Sequence, residues 1–518
     1  MPVRLPTFWL KLGLAVGIVA AGDVLLFDID AIGVNLGILL TSATVALVLT
    51  NPAIRHCRLS IWAILAAGLL ALLPFERPSF VGFLLWALAM AVAALAPRAA
   101  RGDDGWRWFQ RLLFGGLKAL VGPALDLRDA LKVRARSGPL KLTAVLLAAI
   151  LPIAGGALFL ALFASANPVI AQAFATLSLR PFEPARLIFW FVVGLPVWAV
   201  LRPRGVRRLL RTPGVEGDFD LPGVTTASIT VSLLVFNTVF AIQNGLDIAY
   251  LWSGAGLPEG VTFANYAHQG AYPLIATALL AGLFVVVFLR PGSATAARPV
   301  VRWLVIVWVA QNVFLVASTA LRTLDYIDVY SLTRMRIAAL LWMGLIAVGL
   351  LLILWRLLRA KSSGWLINAN LATAAVALLG CSVVDLGAVA AAWNVRHAHE
   401  VGGRGVNLDL CYMRTLQGAA LVPLTQVEHG PYDRVFLERV AFTRRLLMGE
   451  MAERQANWRG WRWRDARRIA WAELNIYESP EMPDASARDC NAEFLTPPPA
   501  ATLPSATPPL TPTPNPGT

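Results

Sequence analysis

The chain has 518 residues, of which 57% are hydrophobic and only 15% are charged. Soluble domains carry about 25% charged residues, so this composition excludes an ordinary soluble enzyme, and it equally excludes a disordered chain or a disulfide-dense secreted module. The net charge of +14 is compatible with nucleic-acid binding. In a chain this apolar, however, it is more typical of a membrane protein with basic loops.

Long apolar segments follow one another along most of the chain. A membrane-spanning helix needs about 20 mostly apolar residues, and by that rule the sequence predicts an all-α integral membrane helical bundle of eleven spans within residues 1–393. Their approximate bounds are 8–27, 31–50, 59–75, 79–97, 141–165, 186–201, 224–250, 272–290, 302–321, 336–356 and 364–393. The first run is long and lacks a small-residue cleavage site, so we expect it to be retained as a span.

Lys and Arg are distributed unevenly over the connections between these spans. If the N-terminus is cytoplasmic, the inside segments hold 25 basic residues and the outside loops hold 6. Because cytoplasmic loops carry the excess of cations, the sequence predicts this orientation. An odd number of spans then places everything after Trp393 outside the cytoplasm.

The cytoplasmic segment 98–141 is amphipathic. Arg107, Arg111 and Lys118 share one face of a helix, and apolar side chains cover another face. One interpretation is an interfacial helix on the inner leaflet, with these three cations contacting anionic lipid headgroups. The other is a cytoplasmic helix packed against the bundle.

Residues 394–495 have a soluble composition and predict a small, mostly helical extracytoplasmic domain. Within it, the segment 457–474 interleaves four Trp with five Arg. Such interleaving can stack on nucleic acid, but outside the cytoplasm we expect interfacial anchoring, a structural role within the domain, or contact with a protein partner. Residues 496–518 are rich in Pro and Thr, so we expect a disordered extension.

Polar residues within the predicted spans are few. Two interpretations compete: a path for an ion or substrate, and interhelical hydrogen bonds, of which we favour the second. Three carboxylates lie toward the outer ends of their spans and three amides lie more centrally: Asp23, Asp247, Asp385, Asn237, Gln311 and Asn312.

A second group of polar residues falls on the predicted outer loops and at the start of the tail. At helical spacing, Arg322 would meet Asp325 and Tyr326. One interpretation is interfacial anchoring, and the other is an extracytoplasmic polar pocket in which these residues converge. The candidates are Tyr266, His268, Arg322, Asp325, Tyr326, Asp328, Tyr330, Arg334, Arg336 and Asn394.

Motifs of known chemistry are missing from the sequence. HExxH, GxSxG, the Walker A pattern and a GxGxxG after a strand do not occur, and no Cys lies in a CxxC pair, so we predict no cofactor and no metal site. The His397, His399 and Glu400 cluster would need further ligands from elsewhere to bind a metal. Cys411 and Cys490 both lie in the tail and could pair in an oxidising compartment.

Several blocks resemble a family of bacterial polytopic membrane proteins known as domain of unknown function 4173, related to domain 4153. The blocks are NYAHQG, DYIDVYSLTRMRIAALLWM, WNVRHAH, NLDLCYMRTL and NWRGWRWRDAR, spread over roughly 225–475. The family carries Arg at the position of His268 and Gly at the position of Ser331. The resemblance implies the fold, the topology and a bacterial inner membrane, and it implies no activity.

From these observations we expect a non-enzymatic integral membrane protein with a transport-related, sensory or accessory role, in contact with the lipid bilayer. One alternative is a membrane enzyme acting at the outer leaflet on a lipid-linked or polar substrate, with Asp325, Asp328 or His268 as acid or base. Another is a scaffold that binds a partner through its Trp/Arg-rich tail.

Overall fold

The computed structural model describes residues 5–27, 31–100, 102–136, 183–204, 209–210, 225–253, 293–476, 488–493 and 495, with scattered positions between 276 and 289. All regular elements among these residues are helices. Within this part of the chain, eight helices are long and apolar enough to cross a membrane. The prediction of an all-helical, multi-span protein is therefore confirmed.

The described chain forms two compact units, one reaching to Leu386 and including Ala452–Arg467, the other combining Gly387–Met451 with residues from Arg468 onward. The helices of the first unit are α1 (Leu5–Leu26), α2 (Val34–Thr50), α3 (Arg58–Glu76), α4 (Phe80–Leu95), α5 (Gly105–Arg136), α6 (Pro184–Leu201), α7 (Thr226–Asp247), α8 (Pro299–Tyr330), α9 (Arg334–Leu358) and α10 (Ser363–Val383).

Several of these helices begin at a hydroxyl side chain. Ser79, Thr333 and Ser362 each accept a hydrogen bond from the backbone N–H three residues later. Thr225 and Ser228 cap the start of α7 reciprocally. Because the first backbone N–H groups of a helix have no partner within it, these residues fix where each span begins.

The structure departs from the predicted spans in three places. The predicted span 31–50 is α2, a helix of 17 residues that is not among the eight long enough to cross a membrane. The predicted span 364–393 is two helices, because the chain breaks at Asp385 between α10 and the next helix. The predicted span 302–321 extends to Tyr330, so the segment expected to be a connection is mostly helical. The span 141–165 and most of 272–290 lie outside the described residues, as does 496–518.

Two apolar clusters hold the first unit together. One joins α1, α2, α3, α4 and α6, with small residues such as Ala67 and Ala93 fully buried where α3 meets α4. The other joins α7, α8 and α9 around Trp308. Lipid is as apolar as a leucine side chain, so close packing of small residues contributes more to helix association here than burial does.

The second unit contains α11 (Leu386–His397, from Gly387 onward), α12 (Leu410–Thr415), α13 (Gly418–Val427), most of α14 (Arg434–Ala456) and the end of α15 (Trp463–Leu474). Leu421, Met451 and Ala472 form its apolar centre. A buried ion pair joins Arg444 Nε to Glu428 Oε1 at 2.6 Å. By their contacts, residues Ala452–Arg467 group with the first unit, and the domain boundary at residue 394 stays a prediction.

Candidate functional site

A polar helix interface in the described part of the first unit lies between α7 and α8. Polar side chains recur along each helix at intervals of three, four or seven residues, which places them on one face of each helix. They are Asn237, Asn244 and Asp247 on α7, and Gln311, Asn312, Ser318, Thr319 and Arg322 on α8. Since α7 and α8 pack against each other, these two faces meet.

Amide side chains cross-link the two helices near the middle of the interface. Gln311 Nε2 donates to Asn237 Oδ1 at 3.0 Å, and Asn237 Nδ2 donates to the Leu304 carbonyl at 3.1 Å. Asn244 Nδ2 donates to the Gln311 carbonyl at 3.2 Å. Interhelical hydrogen bonds of this type stabilise membrane bundles by about 0.6 kcal/mol each.

A charged pair closes the end of the interface that leads to the α8–α9 turn. Arg322 forms a salt bridge with Asp247, and only 6% and 1% of the two side chains are exposed. Gln243 Nε2 also donates to Asp247 Oδ1, at 3.0 Å. From spacing alone we expected Arg322 to meet Asp325 and Tyr326 on its own helix. The partner that the structure reveals is 75 residues away on α7.

The interface holds more acceptors than its own donors satisfy. Within the described residues, four buried oxygens lack a hydrogen-bond donor, namely Asn244 Oδ1, Asp247 Oδ2, Gln311 Oε1 and Asn312 Oδ1, and one buried donor beside them, Trp308 Nε1, lacks an acceptor. A buried polar atom without a partner costs about 1–3 kcal/mol. The interface can therefore accept hydrogen bonds from a small donor that enters it.

Three of the predicted outer-face residues do come together, at the turn between α8 and α9. Arg336 Nη1 donates to the carbonyls of Tyr330, at 2.5 Å, and Ser331. The guanidinium carbon of Arg336 lies 4.3 Å from the centre of the Tyr326 ring, and this ring lies 4.7 Å from that of Tyr330. A cation on the last carbonyls of a helix stabilises its end, so this cluster fixes the turn.

The remaining predicted outer-face residues are more dispersed. Asp328 and Arg334 are exposed, and Asp325 is half-buried. Tyr266 and His268 lie outside the described residues. Asn394 is buried within α11 in the second unit. Convergence of this group into one pocket stays a prediction.

Asp23 ties two spanning helices together. It accepts hydrogen bonds from Arg186 Nε at 2.7 Å, Arg186 Nη2 at 2.5 Å and Trp190 Nε1 at 2.9 Å. The bidentate contact joins α1 to α6, and such paired geometry is the strongest form of ion pair. Asp23 thus contributes to packing rather than to the α7–α8 interface.

The Trp/Arg-rich segment binds the bundle itself. Glu76 Oε1 accepts from Arg464 Nε and from Arg467 Nη2, both at 2.9 Å. Asp385 Oδ1 lies 3.3 Å from Arg77 Nη1, and Asp385 Oδ2 lies 3.9 Å from Arg464 Nη1. These cations are therefore engaged by carboxylates of the first unit.

Backbone contacts bring the same segment onto the connection between α1 and α2. Arg462 Nε donates to the Ile32 carbonyl at 2.9 Å. A Cβ added to Gly33 would lie 2.5 Å from the Trp461 carbonyl oxygen, so the approach requires glycine there. The sequence did not predict that the Trp/Arg-rich segment contacts the first unit. The one available signal was Glu76, an acidic residue in a short predicted outer loop that could pair with its Arg side chains.

The amphipathic segment forms α5, which packs against α4, α6 and α10. Arg107 and Arg111 both bind Asp103, at 3.2 Å and 2.6 Å, and Arg111 is buried. Burial raises the pKa of Asp103, but hydrogen bonds from Arg111 and then Arg107 outweigh this effect and hold the pKa below its usual value. The expected contact of these two Arg with lipid headgroups is not supported, since they neutralise a protein carboxylate.

The histidines and cysteines of the second unit have structural contacts. Both carboxylate oxygens of Glu400 accept from the Leu408 N–H, at 3.2 and 3.0 Å, and the His397 ring stacks on Trp393 at 3.9 Å. No cluster of three potential ligands suited to a metal occurs among the described residues. Cys411 and Cys490 form a disulfide, so the pairing considered from the sequence is confirmed.

Comparison with known proteins identifies a family. The family model described as Domain of unknown function (DUF4153) matches residues 64–427. No curated protein and no solved structure matches the chain significantly. The resemblance seen in the sequence blocks, to a family related to this one, is confirmed. The chain belongs to the DUF4153 family, whose domain has no assigned function.

Proposed function

We propose that this protein is a non-enzymatic, transport-related protein of the bacterial inner membrane, and that the α7–α8 interface binds or conducts a small polar solute. The observation that carries the proposal is the set of four buried acceptor oxygens without donors between two membrane-spanning helices. Unsatisfied polar groups between membrane-spanning helices are energetically costly, so a bound molecule that donates hydrogen bonds to them would be stabilised.

The charges of the interface favour a neutral solute. Asp247 is neutralised by Arg322, and the other groups along the two faces are uncharged amides and hydroxyls. A free cation would add uncompensated charge to a low-dielectric site. A neutral molecule that donates hydrogen bonds matches both the zero net charge and the surplus of acceptors.

Cysteine accessibility tests this proposal. In a background with Cys57 and Cys381 replaced by Ser, Asn237→Cys and Asn312→Cys should react with a small hydrophilic thiol reagent applied to membrane vesicles. Val235→Cys is the matched control, because Val235 is an exposed apolar residue of α7 and should face lipid. Reaction at Asn237 and Asn312 no faster than at Val235 would indicate a dry interface with a purely structural role.

We further propose a cytoplasmic N-terminus and an extracytoplasmic second unit. Three observations support this topology: the cation bias of the loops, the Cys411–Cys490 disulfide, which is typical of oxidising compartments, and the contact of Arg464 with Glu76. Glu76 ends α3 on the side that this orientation places outside. Alkaline phosphatase fused after Gly402 should be active and fused after Lys361 inactive, and the reverse pattern would contradict the topology.

The exposed side of α5 belongs to the same proposal. Phe109, Leu117 and Leu120 are more than half exposed, and Lys118 is exposed beside them. In the proposed orientation this side lies at the inner leaflet, with Lys118 near anionic headgroups. Fluorescence quenching by lipids brominated at shallow depth should reach a Trp placed at Leu117 but not one placed at buried Gln110.

A further inference from the structure

A cleft of about 880 Å³ lies among α1, α2, α4, α5 and α6, separate from the α7–α8 interface. One face of α4 lines it from Phe80 to Leu95, so the cleft extends along a helix length of about 22 Å at 1.5 Å per residue. Its volume lies within the range of about 300–1,000 Å³ that ligand sites occupy. The charged side chains among its described lining residues are Arg204 and Arg462.

The end of the cleft formed by Leu201 and Arg204 is strongly basic. Arg204 Nη2 lies 2.9 Å from Asp126 Oδ1, and Arg202 Nη2 lies 3.3 Å from the same oxygen. One carboxylate is thus shared by two guanidinium groups. The two Arg retain donors for a further anion, because each guanidinium carries five N–H groups.

Two more cations reach the same end from other helices. Lys11 Nζ donates to the Leu201 carbonyl at 2.6 Å, and Arg98 Nη1 donates to the Ala94 carbonyl at 3.2 Å. Leu201 and Ala94 both line the cleft. Lys11 also lies within electrostatic range of Arg98. Lys11, Arg202 and Arg204 therefore gather around Asp126, Arg98 lies near Lys11, and the apolar cleft begins beside them.

We propose that this cleft binds one membrane phospholipid with an acidic headgroup, whose phosphate is held by Lys11, Arg202 and Arg204. The apolar wall along α4 suits the acyl chains, and the excess of positive charge suits the phosphate. The inference does not rest on the α7–α8 proposal, since the two sites share no residue. In the proposed topology the basic end faces the cytoplasmic leaflet, where anionic lipids attract basic groups.

The first test compares headgroups. The purified full-length protein is placed in nanodiscs of phosphatidylcholine with and without phosphatidylglycerol, and retained lipid is counted by native mass spectrometry alongside thermal stability. Phosphatidylglycerol should be retained selectively and should raise Tm. Because one cation near an anionic surface changes the affinity about fivefold, Arg204→Gln should lower phosphatidylglycerol affinity by about that factor. Lys361→Gln, an exposed cation after α9, should leave it unchanged.

The second test fills the cleft without touching the cations. Gly116 lines the cleft, and a Cβ added there would meet no atom within 4 Å. Gly116→Leu should therefore expel the lipid chain while Tm in phosphatidylcholine stays as in the wild type. Gly344→Leu is the control, because Gly344 has the same open surroundings outside the cleft.

Three results would overturn the proposal. The first is wild-type phosphatidylglycerol retention in both Arg204→Gln and Gly116→Leu. The second is an equal loss in Lys361→Gln, which would indicate general attraction of a basic protein surface. The third is equal stabilisation by inorganic phosphate, which would indicate an anion site rather than a lipid site.

Discussion

The Asp247–Arg322 pair gives the sharpest test of how this bundle is held together. Asp247→Asn leaves the Arg322 cation buried without its carboxylate. Removing one partner of a buried ion pair costs about 3–5 kcal/mol. We therefore expect Asp247→Asn to lower the free energy of unfolding by about 3 kcal/mol.

The double variant Asp247→Asn/Arg322→Gln removes both charges and should recover most of that loss, because no unpaired charge remains. The assay is reversible unfolding of the purified protein in mixed micelles with increasing SDS, followed by circular dichroism. Asp328→Asn is the control, since Asp328 is an exposed carboxylate on the helix of Arg322 and should change stability by less than about 0.5 kcal/mol. The reasoning would be refuted if Asp247→Asn matched the wild type, or if the double variant were less stable than the single one.

Three further predictions concern other contacts. Cys490→Ser removes a disulfide between residues separated by 79 positions. In denaturant titrations this variant should lower the free energy of unfolding of the second unit by about 4–5 kcal/mol. Added reductant should then have no further effect on the variant. Glu76→Gln should speed trypsin cleavage at Arg464, because Arg464 loses its carboxylate partner. Glu453→Gln is the control, since Glu453 is exposed, and should not change the cleavage rate. Equal rates in the two variants would show that Glu76 does not hold the Trp/Arg-rich segment in place. The pKa of Asp103 is lower in the folded protein than the ordinary carboxyl value of about 3.9. Its stabilising contribution is therefore complete above about pH 3.9 and is lost as the pH falls through the folded-state pKa. The Tm should accordingly fall more steeply with acid in the wild type than in Asp103→Asn.

Much of the fold was predictable because a bilayer imposes a simple rule on sequence. Eight of the apolar runs appear as helices long enough to span, and six of these lie close to their predicted bounds. The pairing of Cys411 with Cys490 was also accessible, because the other two cysteines lie in segments predicted to be inside the cytoplasm or the membrane. The spans depend on composition within one segment, and the disulfide follows from the compartment predicted for each cysteine, so neither requires knowledge of which helices pack together.

The partners of individual charged side chains were predicted poorly. Spacing along α8 suggested Asp325 as the neighbour of Arg322, yet the ion pair is with Asp247 on α7. Spacing along α5 suggested that Arg107 and Arg111 face lipid headgroups, yet both bind Asp103. Helical periodicity identifies side chains that share a face, but it does not say which helix that face meets.

The sequence by itself determined that this is a helical, multi-span protein of the DUF4153 family, because hydropathy and the ordered residue blocks are properties of the chain alone. Only the tertiary structure decided that the Trp/Arg-rich segment binds Glu76 and that Lys11, Arg98, Arg202 and Arg204 gather at one end of an apolar cleft. The physical reason is that helices in lipid gain little from burying apolar surface against one another. Their neighbours are chosen by a few ion pairs, hydrogen bonds and close-packed small residues drawn from distant parts of the chain.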